Sequence, residues 1–171
     1  MASGKSTIGH PLARRLGREF VDNDEALEAR SGRSARVIAQ ADGADALHRL
    51  EVQALVDALD RPAAAVVAAA ASVVEEPLAR GALRGNDVVY LHASPDVLAA
   101  RVAAPNPTDD HRPFVDGDAR AVLEEQYAVR DPLYRALATI VVDTATRAPD
   151  AIVDEIMQAL GRDAPRTRSE S

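Results

Sequence analysis

Cysteine is absent from the 171-residue chain, which excludes disulfides, thiolate metal sites and a cysteine nucleophile, and makes a reducing cytoplasm the natural compartment. Aromatic residues make up only 3%, and no Lys/Arg cluster is interleaved with them. Together with a formal net charge of −7 and an isoelectric point near 5.1, that scarcity argues against a nucleic-acid or anionic-membrane surface. Any phosphate must therefore be bound locally. The first residues contain no apolar signal region. The most apolar run, AAAVVAAAASVV from Ala63 to Val74, is shorter than the about 20 residues a membrane span needs and reads as a buried strand. No internal repeat is visible, and the length suits one domain rather than two.

What is present begins at once. MASGKST holds the second half of the phosphate-loop pattern G-x-x-x-x-G-K-[ST], with Gly4, Lys5, Ser6 and Thr7 in place and the first glycine missing. In the full motif, backbone N–H groups surround the phosphates and the lysine reaches the β/γ-phosphates. The hydroxyl ligates Mg²⁺, and the following helix directs its positive end at the anion. Downstream, FVDNDEALE presents Asp22 and Asp24 at the end of an expected strand, where period-two spacing would put both side chains on one face. Two readings are open: a solvated turn with an aspartate helix cap, or a carboxylate pair that holds Mg²⁺ and orients an attacking hydroxyl.

Ile8, Leu12 and Leu16 recur at helical spacing and Gly17 supplies a stop, with Pro11 expected to kink the helix. Strands are expected before Asp22 and at Ala65–Ala69, Val88–His92 and Ile140–Asp143. Helices are expected over SARVIAQADG, over ADALHRLEVQALVDALD, and around Pro77–Leu83, Pro95–Ala104, Ala119–Arg130 and Ala148–Leu160. Strands that are apolar throughout and alternate with helices predict an α/β fold whose parallel sheet is covered on both faces. Ligands of such sheets bind at the strands' carboxyl ends. The ending, residues 161–171, is polar and aperiodic and reads as a disordered tail.

The ordered series GKSTIG, LARRLG, FVDND, VVYLHASPDVLAAR, RPF, RDPLYRALA and VVDTATRAPDAIVDEI resembles the shikimate kinases, P-loop kinases of the nucleoside-monophosphate-kinase type, and the resemblance runs to about residue 160. It implies a three-layer P-loop kinase fold with a five-stranded parallel sheet, one domain over residues 1–160 with a lid near 104–116, and transfer of the ATP γ-phosphoryl group to a hydroxyl of a small acid. ATP and Mg²⁺ are the implied cofactors, and a monomer with a small-molecule substrate the implied state. Residue by residue, it implies Lys5 and Ser6 on the phosphates and Mg²⁺, Asp22 beside the metal, and Asp24 on the acceptor hydroxyl as candidate base. Arg112 of the lid would face the transferring phosphoryl group, Arg135 would grip the substrate carboxylate, and Arg147 and Pro149 would flank the adenine. Arg101 and Arg130 are open between a surface charge and a site role.

Departures from the family pattern fall mainly on the substrate side. GADALHRLE puts His48 where the family carries a second carboxylate-binding arginine, with Arg49 turned away by about 100° of helix. Ala70, Ala71 and Ser72 replace a glycine triplet, so their side chains are expected to crowd the substrate and to forbid glycine-only conformations. Ala2 replaces a loop glycine, and the lid is longer and more acidic than the pattern. In the family the apparently missing first strand is central, so the chain as written is expected to be poorly stable and its true start to lie upstream. Three functions remain open: a kinase for shikimate, a related kinase for another acceptor such as a sugar acid, and a degenerate non-catalytic nucleotide-binding protein.

Overall fold

Residues 2–104 and 118–161 of the computed structural model are described. The expected lid, with Arg112, and the expected tail beyond Gly161 lie outside them. Helix α1 (Lys5–Leu16) is followed by β1 (Glu19–Asp22), α2 (Asn23–Ser31), α3 (Ala35–Asp42) and α4 (Ala44–Leu59). Then come β2 (Ala65–Ala68), a 3-10 turn (Ala71–Glu75), α5 (Pro77–Leu83), β3 (Val89–His92), α6 (Pro95–Ala103), α7 (Ala119–Leu137), β4 (Ile140–Asp143) and α8 (Pro149–Ala159).

Local chemistry sets the boundaries. Gly17 ends α1 in the left-handed region (φ 62) with its N–H on the Ala13 and Arg14 carbonyls, a conformation that costs glycine nothing. Ser34 caps α3 and Ser94 caps α6, each accepting from the N–H three residues on and so satisfying a donor the helix leaves free. α1 continues through Pro11 without a break. α7 extends beyond its expected end at Arg130, through Pro132 to Leu137. The proline removes one backbone donor, but side-chain ties beyond it hold the last turns: Arg135 donates to Asp131 at 2.8 Å and Tyr134 to the Ala71 carbonyl at 2.6 Å.

Among the described residues the core lies in three clusters. Ile8 and Leu12 of α1 meet Ile152, Val153, Ile156 and Met157 of α8 over Val142 of β4. Leu27, Ile38 and Leu47 join α2, α3 and α4, and the next turns of α4, at Val52 and Leu55, pack on Val73 and Ala79. Full burial of each such side chain contributes about 1.5–3 kcal/mol. Gly9 is needed for α1 to approach β1, because a Cβ there would stand 2.3 Å from Phe20 Cε2. Gly9→Ala is therefore expected to lower stability by about 1–2 kcal/mol, the overpacking penalty exceeding the better helix propensity of alanine. A urea melt that shows the variant equal to or more stable than the parent would contradict this.

The sheet departs from expectation. β1 pairs with β2 and β3 with β4, both parallel, as two separate two-stranded sheets, and no ladder joins β2 to β3. Nor are the apolar strands fully covered: Ala65–Val67 and all of Val89–His92 are only half-buried, because both strands line a cavity between the pairs. At their carboxyl ends all four strands converge on one place. Ser6 bonds Asp22 at the end of β1, and Arg101 joins Ala2 to Thr144, which follows β4 and bonds the carbonyl of His92 at the end of β3. The start of α1 therefore sits at the carboxyl edge of both sheets.

Candidate active site

α1 opens without a side-chain cap and without an acidic residue in its first turn. Its N-cap, Gly4, takes φ 92, so the chain turns sharply into the helix and leaves first-turn N–H groups directed outward, the arrangement that attracts an anion. Ala2 also adopts a left-handed φ, 52. A non-glycine residue carries strain there of about 1 kcal/mol, which is the physical cost of the missing loop glycine.

Asp22 serves two partners. Its Oδ2 accepts from Ser6 Oγ at 3.1 Å, and its Oδ1 accepts from the Asp24 N–H at 3.0 Å and caps α2. The helix-cap reading of this aspartate is thus realised at Oδ1, while Oδ2 meets Ser6 at the start of α1. Asp24 corrects the expectation of a shared strand face. The strand ends at Asp22, and Asp24 stands in the first turn of α2, so the cap rather than strand periodicity fixes the pair.

A buried acid that the sequence reading passed over lies beside them. Glu51 of α4 is 7% exposed and accepts a hydrogen bond from Ser72 Oγ. Burial pushes its pKa up; the Ser72 bond opposes this, the Asp24 charge adds to it, and His48 and Arg130 pull it down. Asp24, His48, Glu51, Ser72 and Arg130 therefore form one electrostatic neighbourhood. Glu51 falls in line with Leu47 and Leu55 on the apolar face of α4, and a charged residue on such a stripe was the available signal. Between the unfolded pKa near 4.5 and its raised folded value, the native state binds more protons than the unfolded one, so stability falls as pH rises through that window. Glu51→Gln, which keeps an acceptor for Ser72, is expected to flatten this decline and to raise the neutral-pH melting midpoint. Parallel decline in both proteins between pH 4 and 8 would refute it.

Ala70, Ala71 and Ser72 differ from expectation. None has positive φ, and residues from Ala71 form a 3-10 turn of ordinary backbone. Ala70 turns inward against Val52 and Leu55, and Ser72 turns to Glu51. The side chains expected to crowd the substrate thus point largely into the core, and only Ala71 is half-exposed. Its carbonyl accepts from Tyr134, whose ring stacks on Tyr90 with centroids 4.7 Å apart. Burial raises the Tyr134 pKa to about 12, so the hydroxyl keeps its proton as donor.

The helix α7 brings Arg130 into this neighbourhood. Arg130 bonds Glu75 at the end of the 3-10 turn at 2.6 Å, with a side chain 15% exposed. Arg135 lies five residues on, 49% exposed and paired with Asp131, and is not brought to the cluster. For Asp131 burial works against charge, but hydrogen bonds from Arg135 and Tyr90 prevail and hold its pKa low. His48 is half-buried and near Glu51, whereas Arg49 is exposed, as the helix rotation requires.

On the other side of α1, Gly4, Thr7, Arg101, Thr144, Arg147 and Pro149 line a cavity of about 320 Å³. Arg101 donates to Thr144 Oγ1 at 3.1 Å and to the Ala2 carbonyl at 3.3 Å, so it is a fixed wall of this cavity and not a free surface charge. Arg147 pairs with Glu155 and donates to the Ala151 carbonyl at 3.1 Å, while Pro149 opens α8. One anion-attracting helix start therefore separates a cavity with two arginines from a polar cluster with two acids.

Against known proteins, the family model described as shikimate kinase matches residues 1–161. A shikimate kinase of Pseudomonas syringae pv. tomato is 38% identical over 168 residues, covering 97% of this chain and 95% of that protein. One of Marinomonas sp. is 34% identical over 165 residues, covering 95% and 88%. Among solved structures, the shikimate kinase from Acinetobacter baumannii in complex with shikimate superposes with a TM-score of 0.86 at 28% identity, over 94% of this chain and 88% of that one. The enzyme from Bacteroides thetaiotaomicron, 20% identical with a TM-score of 0.81 over 94% of each chain, shares the fold.

Proposed function

The chain belongs to the shikimate kinase family, and from that premise we propose that it transfers the γ-phosphoryl group of ATP to a hydroxyl of shikimate, a step of aromatic amino-acid biosynthesis in the cytoplasm. The observation that carries this reading is the pairing of Ser6 with Asp22 at the start of α1, between the arginine-walled cavity and the acid cluster. The adenine belongs in the cavity of Arg101, Arg147 and Pro149, its phosphates passing over Gly4 and Thr7. Lys5 and the first N–H groups of α1 take the β- and γ-phosphates.

Ser6 and Asp22 would hold Mg²⁺, which keeps several waters and takes one or two protein oxygens, and there it would supply positive charge against the phosphates. On the acceptor side Asp24 orients the hydroxyl and receives its proton as the new O–P bond forms and ADP departs. Arg130 takes the substrate carboxylate in place of the expected Arg135, because it is the α7 arginine that reaches the 3-10 turn at Glu75 and whose charge acts on Glu51. Arg112, of the expected lid, supplies positive charge to the transferring group.

The test is ADP release dependent on shikimate, with phosphorylated shikimate formed in equal amount. Calorimetric ATP binding without turnover of shikimate would overturn the proposal in favour of a non-catalytic protein. Preferential turnover of a sugar acid would move it to a related kinase, consistent with His48 at the acceptor side.

A further inference from the structure

Among the described residues, Asn23 is the only polar side chain with no exposure at all. It is the first residue of α2 and stands between Asp22 and Asp24. Its Nδ2 donates to the Glu51 carbonyl of α4 at 3.2 Å, across 28 residues, and its Oδ1 has no hydrogen-bond partner among the described residues. That donor fixes the orientation of the amide, because the reversed form would set two acceptor oxygens against each other. Stability does not explain the residue. The net gain from one such bond is no larger than the cost of an orphaned buried acceptor, and asparagine is a poor helix former. Nor is it needed at the helix start, where Asp22 already caps α2 and Asp24 and Glu25 already complement the dipole. Adhesion between α2 and α4 comes from Leu27, Leu47 and Ala54. What the asparagine adds is direction: apolar contact tolerates sliding, whereas a bond to one carbonyl fixes both the rotation and the height of α2 on α4.

We propose that Asn23 is a positioning residue whose bond to α4 sets where Asp24 stands against the acceptor hydroxyl, a role that rests on the kinase reading above. Three consecutive residues divide the work. Asp22 reaches α1 through Ser6 at 3.1 Å, and Asn23 reaches α4. Asp24, turned by about 100° from Asn23 around the helix, addresses the acceptor side. The first tie sets α2 against the phosphate-binding start of α1, and the second sets it against the helix that carries His48 and Glu51. With both fixed, the Asp24 carboxylate has one place relative to both ends of the transfer. The Asp24 charge acts on Glu51, so the two acids are near enough for this setting to be felt. Such preorganisation matters because a misplacement of about 1 Å costs on the order of 10²-fold in rate.

The test is Asn23→Leu in the full chain, which keeps the branching of the side chain but removes the donor and the orphaned oxygen together. The expected result is a kcat for shikimate lowered about 10- to 100-fold, with KM for ATP unchanged and a melting midpoint equal to or above that of the parent. The loss must depend on Asp24: in an Asp24→Asn background, Asn23→Leu should lower kcat by less than about twofold, because the group it positions is gone. Asn23→Ala, which opens space instead of filling it, should give the same kcat loss below its own melting temperature, and serves if the leucine variant does not fold. Full kcat in either folded variant, or losses that multiply in the double variant, would overturn the proposal. If the parent itself does not turn over shikimate, the kinase reading fails first, and the pH dependence of stability decides the placement of Asp24. Its charge helps to raise the Glu51 pKa, alongside the effects of Ser72, His48 and Arg130, so displacing it should change the pH span over which stability declines. A profile in Asn23→Leu that superposes on the parent's would overturn that placement.

Discussion

Lys5→Ala is expected to lower kcat for shikimate phosphorylation by about 10²- to 10³-fold, the usual cost of removing one preorganised positive group from the site where charge develops. Lys5 is the first residue of α1, beside the left-handed Gly4, where the helix start already supplies partial positive charge. The lysine adds a full charge that the backbone cannot replace, and the transfer step needs it because negative charge spreads over the γ-phosphoryl oxygens. The fold should not change, since Lys5 is half-exposed and belongs to none of the core clusters. Circular dichroism and the melting midpoint should match the parent while coupled ADP release falls. KM for shikimate should hold, because the proposed acceptor cluster lies on α2, α4 and α7. Unchanged turnover would remove Lys5 from the phosphate site.

Where a feature is written in a local pattern, the sequence showed it. Gly4–Thr7 as a helix start, strands within a residue of Ala65–Ala68, Val89–His92 and Ile140–Asp143, and the helix over Pro149–Ala159 all follow from short-range rules of spacing and capping. What local patterns leave open has long-range causes. Arg130 and Arg135 sit on one helix about 140° apart around its axis, and nothing in RDPLYR says which of them meets Glu75. Arg101 is indistinguishable from a surface arginine until Thr144, 43 residues away, supplies its partner. Ala70–Ser72 were expected to obstruct because three glycines were replaced, but Ser72 found Glu51 across 21 residues and the backbone took ordinary angles instead. Asp24 was misplaced for a different reason. The cap by Asp22 starts the helix one residue after the strand, a boundary finer than periodicity resolves.

That boundary sharpens the second large effect. Asp24→Asn is expected to lower kcat by about 10²- to 10⁴-fold, since the amide keeps the shape of the carboxylate but cannot accept the hydroxyl proton. Asp24 also has a structural duty: an acid in the first turn of α2 complements the helix dipole, worth about 0.3–1 kcal/mol. Loss of stability within that range with full activity would leave it a helix-start residue only. The electrostatics provide a readout that separates the two. The Asp24 charge helps to raise the Glu51 pKa, so the asparagine variant should hold Glu51 ionised to lower pH, and the pH window over which stability declines should narrow from its upper end. A catalytic Asp24 must give both results together: a collapse in kcat with the melting midpoint nearly kept, and a narrower pH decline that shows the carboxylate faced the acceptor cluster in the folded protein. If kcat falls but the window does not narrow, Asp24 acts from outside that cluster, and the base must be sought in Glu51, the other acid that faces it.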